Sequence, residues 1–193
     1  LGEPLAALVL ADRAKALDYV RRYAKSPNRE VAYCAGWGLS SGRPVKIPAD
    51  CTNFASQVLW YGGLPMNPAH DDTGWWYTDS CEWWGSSVSW RTVNGLAIYL
   101  TTISGRAVFA RRARDLKIGD LIFYRLRRPE TGYRCDIGSL FNHTTIVSGF
   151  DERGEPLVSY HSNEAEDVPW NAKSGSLKAL GEACATGFVH LLD

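Results

Sequence analysis

The chain has 193 residues, 21 Lys+Arg against 21 Asp+Glu, and a formal net charge of zero. That length suits one domain with a sizeable core, and the charge balance argues against a nucleic acid or a charged membrane surface as partner. No apolar run is long enough to span a bilayer, and Leu1 to Ala11 is apolar but lacks the basic start of a signal peptide.

The five cysteines, Cys34, Cys51, Cys81, Cys135 and Cys184, contain no C-x-x-C pair, which argues against a common structural zinc site. Their odd number suits one free working thiol plus two disulfides among Cys34, Cys81, Cys135 and Cys184, with the pairing open. Disulfides point to a secreted protein.

Asp12 to Ala24 predicts a helix capped by Asp12, with Leu17, Val20 and Ala24 on one side, Tyr23 beside them and Asp18 one turn from Arg22. Residues 30–50 read as a loop pinned by Cys34 and Trp37. Asp50-Cys51-Thr52-Asn53-Phe54-Ala55-Ser56-Gln57-Val58-Leu59 then predicts a short helix that Gly62-Gly63 and Pro65 stop. Phe54, Val58 and Leu59 form its apolar side, and Thr52 or Asn53 is placed to cap it. Cys51 stands at its mouth, where the helix dipole and unpaired N–H groups favour the reactive thiolate. The competing reading is a half-cystine or a buried apolar residue.

Between Gly62 and Trp90 the chain carries Trp75-Trp76-Tyr77, Trp83-Trp84 and Trp90 around Cys81, without clear periodicity. A satellite core is the reading for most of these rings. A groove for a sugar or peptide, lined by Trp75, Trp76 or Trp90, is the other. Thr92 to Leu100 predicts a short helix and Ala107 to Ala110 a strand, while Arg111 to Arg114 reads as a solvated basic cluster. A tight turn at Lys117 to Asp120 leads into the strand Leu121 to Tyr124, and Arg125 to Leu140 is a polar insertion.

Asn142 to Phe150 and Leu157 to Asn163 predict a hairpin turning at Asp151 to Gly154. A loop of Glu152, Arg153 and Gly154 pairs Asp151 with Glu155. Carried along an unbroken ladder, that register sets Asn163 opposite His143 and His161 opposite Thr145, so the three polar residues share a face. A shorter loop brings Ser162 opposite instead.

Cys51 as nucleophile, His143 as its base, and His161 or Asn163 as the group orienting His143 make a cysteine-hydrolase set. The Cys51 backbone N–H is an oxyanion donor, and Asp50 holds the turn before the helix at the edge of the substrate site. His70 and His190 read as surface or packing histidines. Zinc on Cys51, His143 and His161 is the weaker reading, because metal-ligand spacing is missing; no metal or cofactor is expected.

The run Asp50-Cys51-Thr52-Asn53-Phe54-Ala55-Ser56-Gln57 resembles the D-C-T-N-F-x-S-Q signature of the putative amidase domain family of bacterial, often secreted, proteins. Asp12-Arg13-Ala14 with Ala16 and Tyr19, Gly62-Gly63 with Met66, Trp75-Trp76-Tyr77 and Ser89-Trp90 with Val93-Asn94 are similar to the same pattern. So are Gly119-Asp120-Leu121-Ile122, His143-Thr144 through Val147 and Tyr160-His161-Ser162-Asn163, so the likeness runs from about Asp12 to Asn163. The wider order resembles the NlpC/P60 and CHAP branches of the papain-like cysteine hydrolases, and by that likeness His161 fits the third catalytic position better than Asn163. The extra cysteines and the insertion from Arg125 to Leu140 depart from the family.

The resemblance implies a single α+β domain over residues 1–193, papain-like, with N-terminal helices packed on a small antiparallel sheet. It implies a bacterial, often secreted, amidase or peptidase acting on peptide or peptidoglycan-like substrates through a Cys51 thioester; a monomer is expected. Acyl transfer on the same residues, and a non-catalytic glycan-binding module built on the Trp-rich segment, are the alternatives.

Overall fold

Asp12 opens the first helix, α1 (Arg13–Tyr23), by accepting a hydrogen bond from the Lys15 amide at 2.9 Å, which satisfies one of the orphan N–H groups of the first turn. The computed structural model describes residues 12–26, 28, 37–40, 43–46, 50–71, 73–78, 85–127, 140–171 and 175–193. Ala16, Tyr19, Val20 and Ala24 form the buried stripe of α1. Tyr19 takes the place expected of Leu17, which is half-buried. Its polar tip makes this possible: the Tyr19 hydroxyl donates to Gln57 Oε1 at 2.7 Å and accepts from Asn28 Nδ2 at 3.1 Å. Asp18 and Arg22 pair on the wet side at 2.9 Å, as their spacing predicts.

The expected loop before Asp50 contains a short antiparallel hairpin, β1 (Trp37–Ser40) with β2 (Arg43–Lys46). Pairing of this kind rests on backbone bonds, and four-residue strands leave little periodicity to read. Cys34, Cys81, Cys135, the Trp83-Trp84 pair and most of the insertion from Arg125 to Leu140 lie outside the described residues.

The cysteine helix, α2 (Cys51–Tyr61), is buried continuously from Cys51 to Leu59. It is therefore a core helix enclosed on all sides, where the sequence pattern suggested one apolar face. Gly63, at φ 92°, turns the chain out of it. Two short helices, α3 (Val88–Arg91) and α4 (Val93–Ile98), follow, capped by Ser87 and Thr92, and a π-helical turn spans Tyr99–Ile103.

Strands β3 (Ala107–Ala110), β4 (Leu121–Arg127), β5 (His143–Phe150), β6 (Pro156–Tyr160), β7 (Ala165–Pro169) and β8 (Glu182–Leu191) make one antiparallel sheet in the order β3-β8-β4-β5-β6-β7. A short helix, α5 (Gly175–Leu180), precedes β8. The architecture is α+β. Alternation along β4 divides two apolar clusters: Leu121 and Phe123 pack with Phe54, Val58 and Leu59 of α2, whereas Ile122, Tyr124 and Leu126 pack with Leu177 and Leu180 of α5. Ile146 of β5 joins the first cluster and Val147 the second.

Among the described residues no helix is long and apolar enough to cross a membrane. Arg13 ties the N-terminal helix to the sheet. Its guanidinium donates to Asp120 Oδ1 at 2.9 Å and to the carbonyls of Ile118 and Leu191. Asp120 is fully buried and accepts three further bonds, from the Leu191 and Lys117 amides and from His190 Nδ1. The Asp12-Arg13 and Gly119-Asp120 pairs of the sequence thus meet as one structural joint, and His190, expected to be bland, is part of it.

Candidate active site

The hairpin loop closes as expected, with the Asp151 amide donating to the Glu155 carbonyl at 2.9 Å and Gly154 at φ 75°. The unbroken ladder does not hold. Phe150 pairs with Pro156 and Gly149 with Leu157, but beyond a bulge at Ser148 Val147 pairs with Val158 and Ile146 with Ser159. One residue of slip exchanges the faces of everything that follows. β6 ends at Tyr160, and His161 to Glu164 form the turn into β7, so neither His161 nor Asn163 stands opposite His143 in a ladder.

That early departure of β6 leaves a place that Cys51 fills. The Val147 amide donates to Asp120 at the start of β4, so the odd-numbered amides of β5 point toward β4 and the even-numbered ones toward β6. The Thr144 amide, facing the side that β6 has left, lies close enough to the sulfur of Cys51 to lower its pKa. Cys51 is the free cysteine among the described residues and is only 5 % exposed. The hydroxyl of Thr52 lies 3.8 Å from its sulfur. Burial pushes the thiol up; the Thr144 amide and the Thr52 hydroxyl pull it down, and the nearby Asp50 charge adds to the upward push. The expectation of a depressed thiol is corrected: in this resting arrangement desolvation outweighs the helix start.

His143, the residue before Thr144, is buried at 1 % exposure. Its ring packs edge-on against Tyr160, with centroids 5.0 Å apart, and lies 6.2 Å from Tyr124. The structure therefore brings the start of β5 to the start of α2.

His161 is held elsewhere. Its Nδ1 meets Asp50 Oδ2 at 2.7 Å and its Nε2 donates to the Tyr23 carbonyl at 2.7 Å. The ring stacks on Phe54 with centroids 4.0 Å apart and planes 13° from parallel. The bonds of His161 thus run to Asp50 and α1 rather than to His143. Asn163 is exposed at the tip of the β6–β7 turn.

Asp50 is 2 % exposed, and its other oxygen accepts from Asn53 Nδ2 at 2.8 Å. Both of its oxygens are met by the protein, and its observed contacts lie at the helix start. Neither Thr52 nor Asn53 caps α2; Asp50 precedes the helix without a side-chain cap bond. The rest of the D-C-T-N-F-x-S-Q run is similarly committed. Asn53 Oδ1 accepts from Trp90 Nε1 at 2.8 Å, Ser56 donates to the Trp90 carbonyl and accepts from Trp75 Nε1, and Gln57 accepts from Tyr19. Trp75 and Trp90 are fully buried and their rings pack 4.9 Å apart, so the groove expectation fails for both: they are the core beneath α2. Trp76 is half-buried, donates to the Ala69 carbonyl at 2.8 Å and packs against His70.

The family model described as "Putative amidase domain" matches residues 11–180. The chain belongs to the putative amidase domain family. Membership points to amide-bond hydrolysis as the family's chemistry. The chain is 32 % identical over 161 residues to the uncharacterized protein YhbB of Bacillus subtilis (strain 168), an alignment covering 81 % of this chain and 47 % of that protein. It therefore spans about half the length of this curated relative. No solved structure matches the chain.

The sequence reading gives no role to the Thr144 amide or the Tyr23 carbonyl and weighs Ser162 only as the residue a shorter loop would set opposite His143. The backbone groups leave no signal in side-chain identity. Ser162, which accepts from the Asp50 amide at 3.0 Å, is adjacent to His161 in sequence and shares its target.

Proposed function

We propose that this protein is a cysteine-dependent amide-bond hydrolase, with Cys51 as nucleophile and His143 as general acid and base. The observation that carries the reading is the packing of the strand start bearing the buried His143 beside the helix start bearing a free, buried cysteine. Membership of the amidase family supports the same bond class.

In the proposed cycle the resting thiol is neutral. His143 takes its proton as the sulfur attacks the amide carbonyl. The imidazolium then gives that proton to the leaving amine, and a thioester remains. Water, losing a proton to His143, attacks the thioester; the acid leaves and the proton returns to the sulfur. The Cys51 backbone N–H, free of an intrahelical partner at the first turn of α2, is a donor for the oxyanion. Charge develops here in a dry site, where each donor counts for more than it would in water.

The substrate class we infer is the amide bonds of cell-wall peptides, and the fold relationship we infer is papain-like. The organism of the curated relative and the free Cys51 beside four other cysteines support a secreted bacterial setting. The test is release of new amino groups from a peptidoglycan digest, compared between the wild type and Cys51→Ala. Loss of release in a folded variant supports the reading, and equal release by both removes it.

A further inference from the structure

Two consecutive residues of the β6–β7 turn grip one residue at the start of α2. The His161 ring meets the Asp50 carboxylate at 2.7 Å, and the Ser162 hydroxyl accepts the Asp50 amide at 3.0 Å. The central residues of that turn, Ser162 and Asn163, sit at φ 67° and 76°, left-handed conformations that L residues other than glycine rarely adopt. Strain of this kind persists where surrounding contacts over-determine it. Here it delivers the hydroxyl to Asp50.

We propose that His161 and Ser162 are positioning residues that act on Cys51 through Asp50, by fixing the start of α2, and do not act on His143. The proposal rests on the reading of Cys51 as the nucleophile. Both ring nitrogens of His161 are already engaged, by Asp50 and by the Tyr23 carbonyl, so the ring has no nitrogen left for His143. Asp50 in turn controls the helix start, because its carbonyl accepts the first intrahelical bond, from the Phe54 amide at 3.0 Å. Its carboxylate continues through Asn53 to the Trp90 indole. One buried chain of hydrogen bonds thus runs from the end of α1 through His161, Asp50 and Asn53 to α3, and Cys51 is the next residue after its central member. If the clamp is loosened, the sulfur moves out of its buried place.

The test is alkylation of Cys51 by iodoacetamide in the native chain across pH, mapped by mass spectrometry, with thermal unfolding measured in parallel. Ser162→Gly removes the hydroxyl while suiting the left-handed backbone, so a merely structural Ser162 gives an unchanged or raised Tm and unchanged labelling. The proposal expects the same Tm behaviour but labelling faster by roughly tenfold, the upper end of what the loss of one neutral hydrogen bond gives, with its pH midpoint falling toward that of an ordinary thiol. His161→Gln and Asp50→Asn should act in the same direction. Their double variant should be no faster than the faster single, since coupled residues fail to add. Unchanged labelling in Ser162→Gly overturns the proposal, as does additivity of His161→Gln with Asp50→Asn, or slower labelling in His161→Gln matching that of His143→Ala. Should His161→Gln not fold, Ser162→Gly and Asp50→Asn decide alone. The labelling needs no amide substrate, so its outcome is separate from that of the Cys51→Ala hydrolysis test.

Discussion

The backbone N–H of Thr144 lies close enough to the sulfur of Cys51 to lower its pKa, while the Thr144 hydroxyl beside it is fully buried and has no hydrogen-bond partner among the described residues. An orphaned buried hydroxyl is a net cost, and replacing it by a methyl group leaves the amide in place. Thr144→Val should therefore stabilise the fold by about 1 kcal/mol in urea unfolding, with iodoacetamide labelling of Cys51 unchanged. Destabilisation would mean that the hydroxyl has a partner in solution.

The buried thiol gives the fold a pH dependence of definite sign. Burial raises the Cys51 pKa in the folded chain, so the unfolded chain loses this proton first as the pH rises. The stability is fully present below the ordinary thiol value of about 8.5 and is lost as the pH climbs from there through the folded-state value. Tyr19 and Tyr124, also pushed up by burial, extend the loss to more alkaline pH. Cys51→Ser lacks the first part of this loss. Urea unfolding from about pH 7 to about pH 10 should show the wild type losing stability relative to the Ser variant above the ordinary thiol value. Parallel curves would rule out the raised thiol.

Trp90 belongs to the core beneath the cysteine helix, with its indole N–H on Asn53. Trp90→Phe keeps much of the ring and leaves Asn53 Oδ1 unpaired. It should cost about 1 to 3 kcal/mol in thermal or urea unfolding. Soluble glycans should leave the Trp75 and Trp90 fluorescence unperturbed, because neither ring reaches solvent. Quenching traced to either one would restore the groove reading.

Asp120 takes four hydrogen bonds from Arg13, His190 and two amides in a fully buried position. Asp120→Asn weakens the pairing with Arg13 and turns an acceptor into a donor that faces donors. A loss of about 3 kcal/mol is expected, measurable as a lower urea midpoint with the unfolding slope preserved. A neutral result would show that the joint between α1 and the sheet lies elsewhere.

Much of this was legible in the sequence. The Asp12 cap, the span of the cysteine helix, β3, the strand after Gly119-Asp120 and the hairpin closed by Gly154 follow from local rules that tertiary packing did not override. The position of His161 was not legible. A single bulge at Ser148 changes the register, and no residue type in β5 announces it. The thiol was misjudged for a related reason: the helix-start argument is local, whereas burial by β5 and the rest of the core is not. Trp75 and Trp90 lacked periodicity because one sits on an irregular segment and the other on the single-turn helix α3, both folded against α2, where each indole N–H finds a partner.

The most direct measurement is amide release from a peptidoglycan digest by the wild type, Cys51→Ala and His143→Ala, with new amino groups counted and the fold of each variant checked by thermal unfolding. The account expects release by the wild type and a drop of about a hundredfold or more in each variant, with cooperative unfolding retained. Full release by a folded Cys51→Ala protein would contradict a cysteine mechanism and return the function of the buried thiol to question.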